Sequence, residues 1–140
     1  MKESDWWDCL SANSSTEVST DPFKIKSLID TAQGRVEFIE KIKPTPENAN
    51  YIFESYYSSL IELMHALVLK RNYKVSNHIC LGYFLRDVLK NDALFRIFDD
   101  CRYKRNSLVY YGKRMEAVIA EESITQIKKL IKEIKIICNQ

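Results

Sequence analysis

Apolar residues recur at helical spacing in one long stretch: Ala49, Ile52, Phe53, Tyr56, Leu60, Leu63, Met64 and Leu67. A stripe of this length fits a helix and no strand. It predicts a helix from the Thr45-Pro46 boundary, with Thr45 as cap, to about Lys70. The rest of the chain then has to cover that stripe. Punctuation agrees, because three glycines and three prolines in 140 residues supply too few turns for a sandwich or barrel. This length reads as one domain, able to bury roughly two-thirds of its unfolded surface.

Four further helices are expected. Asp21-Pro22 pairs an N-cap with proline at the first helical position, and Ile25, Leu28, Ile29, Ala32, Val36 and Ile39 follow at helical spacing. Ser76 opens a third helix with Leu81, Phe84, Leu85 and Val88 inward. Asn91-Asp92 breaks it and caps a fourth, whose stripe is Leu94, Ile97, Phe98, Cys101 and Leu108, with Gly112 as its stop. A fifth covers roughly 114–138. Val118, Ile119, Ile127, Leu130, Ile131, Ile134 and Ile137 face inward, and Lys128, Lys129, Lys132 and Lys135 face outward. No strand pattern or internal repeat stands out. Short connections favour neighbouring antiparallel helices, so the expected fold is all-α, an antiparallel up-and-down bundle of four to five helices over residues 21–140.

Residues 1–20 are expected to form an acidic, largely irregular arm. Through residue 21 the chain carries one lysine against five acids, so this part is −4; the whole chain is +2, which leaves +6 for the remainder. The Ser/Thr run from Ser11 to Thr20 lacks the apolar surface to order itself. The pair Trp6-Trp7 is expected to dock on the body or on a partner. Cys9, Cys80, Cys101 and Cys138 are scattered without a C-x-x-C pair, which argues against zinc; Cys101 and Cys138 read as small core residues. No secretory signal or membrane span is seen, and the cytoplasm is the default compartment. No metal or cofactor site is expected.

The stretch Arg102–Arg114 carries the chemistry. It holds five positive charges, no acid and three tyrosines in thirteen residues. Cations bind phosphate and tyrosines stack on bases, so it suits a nucleotide or RNA. Positions 94, 98, 101, 105 and 108 share a helical stripe, which turns Arg105 toward the apolar face. A guanidinium there must be paired, or must line a cleft or interface. Arg102, Asn106 and Tyr110 form an adjoining polar ridge at i, i+4 and i+8. The plainer alternative is that Arg105 and Asn106 satisfy acids or carbonyls while the tyrosines pack. Asp99-Asp100 reads as a solvated face, since adjacent helical residues diverge by about 100°.

Arg105-Asn106-Ser107-Leu108-Val109-Tyr110-Tyr111 resembles the signature of HEPN domains. That signature is Arg, a polar residue, three to five further positions, then His, often with a Tyr close behind. The resemblance spans roughly residues 22–138. It implies a bundle of four or five helices with the motif in the penultimate or last one. It also implies a metal-independent ribonuclease acting as a homodimer, with two motifs meeting across the interface. The Arg would stabilise the scissile phosphate and the His would take the ribose 2′-hydroxyl proton. Other members pair with a nucleotidyltransferase in a toxin–antitoxin module, and that partner can modify a tyrosine beside the motif. Some members are non-catalytic.

At the decisive position this chain has Tyr110. A phenol of pKa about 10 is only ~0.1% ionised at neutral pH, and its use as a base costs about 4 kcal/mol. Arg105 and Tyr110 occupy the catalytic positions. Binding of RNA or nucleotide falls to Arg102, Lys104, Arg105, Asn106, Tyr110, Tyr111 and Lys113. His65, between Met64 and Leu67, reads as structural. His78, in the first turn of the third helix, is expected to have a pKa depressed by the macrodipole, which suits a neutral base or a phosphate contact. Three functions follow. The first is a HEPN-like binder with weak or no cleavage, one half of a module with a nucleotidyltransferase. The second is an active ribonuclease using Tyr110 or His78. The third is a helical interaction module without ligand.

Overall fold

The long apolar stripe becomes a helix that is buried on nearly every face. In the computed structural model, which describes residues 3–140, this helix is α3, Ala49–Lys70. The elements before it are α1 (Trp6–Ser11), β1 (Ser15–Glu17) and α2 (Pro22–Glu40). Those after it are β2 (Tyr73–Val75), α4 (His78–Tyr83), a π-helical turn (Phe84–Val88), α5 (Asp92–Tyr111) and α6 (Ala117–Cys138). The fold is mostly helical, as expected, with a minor two-stranded sheet. A helix with so broad an apolar face belongs at the centre of a core, and α3 packs against both α2 and α6, with α4 and α5 adding to its cover and a narrow stripe through Ser55, Ser58 and Glu62 left partly open.

Several boundaries follow from local chemistry the sequence displays. Asp21 Oδ1 accepts from the Lys24 backbone N–H at 3.1 Å, with Pro22 at the first helical position. The Thr45 hydroxyl accepts from the Asn48 N–H at 3.2 Å and Asn48 Oδ1 accepts from the Thr45 N–H at 2.7 Å, but these close the turn before α3, whose N-cap is Asn48 rather than the expected Thr45. Asn91 caps α5 through the Leu94 N–H. Gly112 ends α5 at φ 62°, a left-handed conformation that suits glycine.

Other expectations need correction. Asn77, not Ser76, caps the third helix, through the Cys80 N–H. That helix is short and passes into the π turn, marked by the Leu89 N–H reaching the Phe84 carbonyl. The last helix begins at Ala117, and Val118 and Ile119 at its start are exposed rather than inward. Strands are present. Ser15, Thr16 and Glu17 pair antiparallel with Val75, Lys74 and Tyr73, and Ser76 extends the pairing by donating to the Ser14 carbonyl from both its N–H and its hydroxyl.

The arm is therefore not irregular. Trp6 is 2% exposed and meets Tyr73 and Phe84 edge-on. Its backbone N–H donates to Asp87 Oδ2 at 2.9 Å, and Asp5 and Asp8 form a reciprocal capping box on α1. Cys9 and Cys80 form a disulfide with Cα atoms 6.1 Å apart. The Ser/Thr run is ordered by what flanks it: one large indole in the core, one covalent tie and a borrowed strand. Closing a loop of 71 residues constrains the unfolded chain by about 4 kcal/mol. Cys101 and Cys138 are free and buried, as expected, and burial pushes their thiols up to about 12 and about 11. Among the described residues, no helix is long and apolar enough to cross a membrane.

Candidate functional site

The C-terminal half of α5 sorts its cations by direction. Lys104 leans toward α6, bonded to Ser123 Oγ at 3.1 Å and paired with Asp100 at 2.8 Å. Arg102 is paired with Asp99 at 2.9 Å. The two aspartates lie on a solvated face, as expected, and each pairs there with a cation of its own helix. Arg105 differs. It forms no salt bridge with any described carboxylate; one guanidinium nitrogen donates to Asn106 Oδ1 at 3.3 Å and to the Tyr110 hydroxyl at 3.5 Å. Its guanidinium carbon lies 5.4 Å from the centre of the Tyr57 ring and 5.5 Å from that of Tyr110.

Tyr57 was not expected here. It comes from α3 and is almost fully buried. Its hydroxyl lies 2.9 Å from His78 Nδ1, at the start of α4. Three elements therefore meet at one point: α5 brings Arg105, Asn106 and Tyr110, α3 brings Tyr57, and α4 brings His78. The expected ridge of Arg102, Asn106 and Tyr110 is present on α5, with Arg102 drawn to Asp99. Tyr111 and Lys113 are exposed beyond this cluster, and Gly112 and Lys113 both donate backbone N–H groups to the Ser107 carbonyl. Lys104 stands on the α6 side.

The electrostatics favour neutral partners around one cation. Burial, then Arg105, His65 and Arg102, hold His78 down at about 4. Burial is the main cause, rather than the helix end expected from the sequence. Burial also raises the Tyr57 hydroxyl above its usual range, against the pull of Arg105 and Arg102. At neutral pH the phenol and the imidazole are both uncharged, and one proton lies between Tyr57 Oη and His78 Nδ1, its donor set by the imidazole tautomer. His65 is likewise depressed, by burial and then Lys24, in keeping with a structural residue.

What the arrangement can do chemically is hold an anion. A guanidinium lying over two aromatic rings is held in place while its N–H edge stays able to meet an anion. The carboxylate that would normally meet them is missing, while every other cation on α5, Arg96 included, has one. Nothing in the sequence marked Tyr57, because it lies inside the apolar run of α3 where either neighbouring tyrosine reads as core. No family model, no curated protein and no solved structure matches this chain.

Proposed function

We propose that this is a HEPN-like protein that holds a phosphate of RNA or of a nucleotide at Arg105, with Asn106, Tyr110 and the His78 imidazole around it, and that it cleaves weakly or not at all. The observation that carries the reading is the Arg105 guanidinium, lying over the Tyr57 and Tyr110 rings without a carboxylate partner. Tyr110 stands where the HEPN motif has its base, and a neutral phenol donates to a phosphate oxygen more readily than it removes a proton. Arg102, Tyr111 and Lys113 would extend the contact along a strand, while Lys104, held by Asp100 and Ser123 on the α6 side, would add only long-range charge. The reading includes an up-and-down bundle, a homodimer bringing two Arg105 side chains to one cleft, and a nucleotidyltransferase partner in a toxin–antitoxin module. It keeps the cytoplasm as its compartment; the Cys9–Cys80 disulfide, more usual in oxidising settings, makes thiol alkylation and mass analysis of protein taken directly from cells the relevant check.

The test is binding of a labelled single-stranded RNA and of a mononucleotide at low salt, where phosphate contacts are strongest. Arg105→Gln should weaken binding about tenfold or more, since a charge-assisted bond is worth about 1.5–3 kcal/mol. Unchanged affinity in a folded variant would refute the reading, and no binding by the unaltered protein would leave a helical interaction module. The ribonuclease reading has one observation in its favour, the imidazole of His78 against Tyr57 beside Arg105. It requires RNA cleavage that disappears in both Arg105→Ala and His78→Ala; cleavage that survives either change is not this site's.

A further inference from the structure

A second cationic site lies away from Arg105, in the cleft between α2 and α6 over α3. The cleft measures about 310 Å³, and Lys128, Lys129, Lys132 and Lys135 of α6 line it together. Its floor is apolar, from Val36, Tyr56 and Ile131. The Lys128 ammonium stands 6.0 Å from the centre of the Tyr56 ring. The Tyr56 hydroxyl, its pKa raised by burial and then by Glu40, remains a donor.

The charge in this cleft is left uncompensated. Among the described residues, Lys26, Arg35, Arg86, Arg96, Arg102 and Lys104 form ion pairs. The four α6 lysines form none, nor do ten other described cations, but these four share one concave cleft. Lys135 meets only a neutral group, Gln33 Oε1 at 2.5 Å. Lys128 and Lys132 are one turn apart, a like-charge spacing that costs helix stability. Lys129 and Glu133 have a spacing that would allow a bridge, yet they form none. Glu40 is the one carboxylate lining the cleft. A helix lysine that only needs to stay wet has no reason to gather with three others around a concave apolar floor, whereas a ligand with several negative charges supplies the missing compensation. Lysine ammonium groups are point charges that suit phosphate without demanding a planar acceptor.

We infer that the α2–α6 cleft binds an oligophosphate, a chain of two or more phosphate groups, through Lys128, Lys129 and Lys132 over the Tyr56 ring. Such a chain occurs free or as the tail of a nucleotide, and the chemistry recognised here is common to both. This site is separate from Arg105 and stands or falls without it.

The test is titration calorimetry at low salt with tripolyphosphate and with ATP, on Arg105→Gln, which removes the phosphate contact proposed on α5, and on Arg105→Gln/Lys128→Gln/Lys132→Gln. Both ligands should bind Arg105→Gln. The added lysine changes should cost about tenfold or more in affinity for each. Equal affinities for the two ligands identify the phosphate chain as the whole ligand; ATP binding about tenfold tighter identifies a nucleotide. Either order supports the site. It is overturned if neither ligand binds Arg105→Gln, or if the triple variant binds as well as Arg105→Gln. Thermal melting guards against misfolding. Without ligand the triple variant should melt at or slightly above Arg105→Gln, since a repulsive pair has been removed; with tripolyphosphate the order should reverse, because ligand stabilises only the protein that binds it.

Discussion

Arg86 and Arg105 use the same device with different endings. Each lays its guanidinium against two aromatic rings: Tyr83 and Phe95 at 4.6 and 5.0 Å for Arg86, Tyr57 and Tyr110 at 5.4 and 5.5 Å for Arg105. Arg86 then meets Asp87 at 2.9 Å and the Ser4 carbonyl at 2.9 Å. Its anion is built in, and the same carboxylate accepts the Trp6 N–H. Arg105 meets only an amide oxygen and a phenol. Stacking orients a guanidinium, but what stands at its N–H edge decides the role. Arg86 fastens the arm to the body, whereas Arg105 has no carboxylate at its edge among the described residues.

Removing the anion from the complete site should have the larger effect on stability. Asp87→Ala strips Arg86 of its partner and the Trp6 N–H of its acceptor. The pair is partly solvated, with side chains 21% and 14% exposed, so the cost should fall below that of a fully buried pair, at about 2–3 kcal/mol. Arg105→Ala loses only stacking and two long hydrogen bonds, a cost of about 1 kcal/mol or less. Urea denaturation of both variants checks the contrast. Equal losses would mean that Arg105 is a structural residue like Arg86.

The comparison can also be tested by conversion. Asn106→Asp places a carboxylate where Asn106 Oδ1 now accepts from Arg105 at 3.3 Å, giving Arg105 the internal anion that Arg86 has. RNA affinity should fall about tenfold, worth about 1.4 kcal/mol, while stability is unchanged or rises slightly. A variant that keeps full affinity would show that the edge of Arg105 is not where the phosphate sits.

Much of the scaffold was legible because its signals are local. The α3 stripe, the Asp21 and Asn91 caps and the Gly112 stop all act within a few residues of themselves. The arm was misread because its order comes from partners far along the chain: Trp6 packs on Tyr73 and Phe84, and Cys9 bonds to Cys80. Cysteine spacing does not encode connectivity, and strands of three residues are too short to show a period. At the site, Arg105, Asn106 and Tyr110 were visible as a motif on one helix. Tyr57 and His78 were not joined to it, because helices α3 and α4 bring them there only on folding. His78 also had a depressed pKa for a different reason, burial rather than a helix end.

The two arginine sites should titrate in different ranges. His78 falls from an unfolded value of about 6.5 to about 4 in the fold. Between those values the unfolded chain binds more protons, so stability rises with pH. The contribution is complete above the unfolded value and is lost as pH falls toward 4. Asp87 is lowered chiefly by its hydrogen bond from Arg86, so its contribution persists to more acidic pH and is lost only below the usual carboxylate range. The His78 ring signals followed by NMR should show the low value, and saturating RNA should raise it by about one unit as the phosphate offsets Arg105. No change on binding would place the anion elsewhere.

Gly112→Ala should produce the smallest effect, and it should fall on one arginine only. Gly112 sits at φ 62°, and nothing lies within 4 Å of an added Cβ, so the cost is conformational, about 1 kcal/mol. The two N–H groups that close α5 on the Ser107 carbonyl belong to Gly112 and Lys113. Weakening that closure loosens the last turn, where Tyr110 forms the outer ring against Arg105. The Arg86 site lies in the π turn and against the first turn of α5, beyond the reach of such fraying. RNA affinity should therefore drop about two- to threefold, while the Trp6 fluorescence that reports arm docking stays as it was. Unchanged affinity alongside the lowered melting temperature would assign the orientation of Arg105 to the buried Tyr57 ring alone, with Tyr110 no more than a cover.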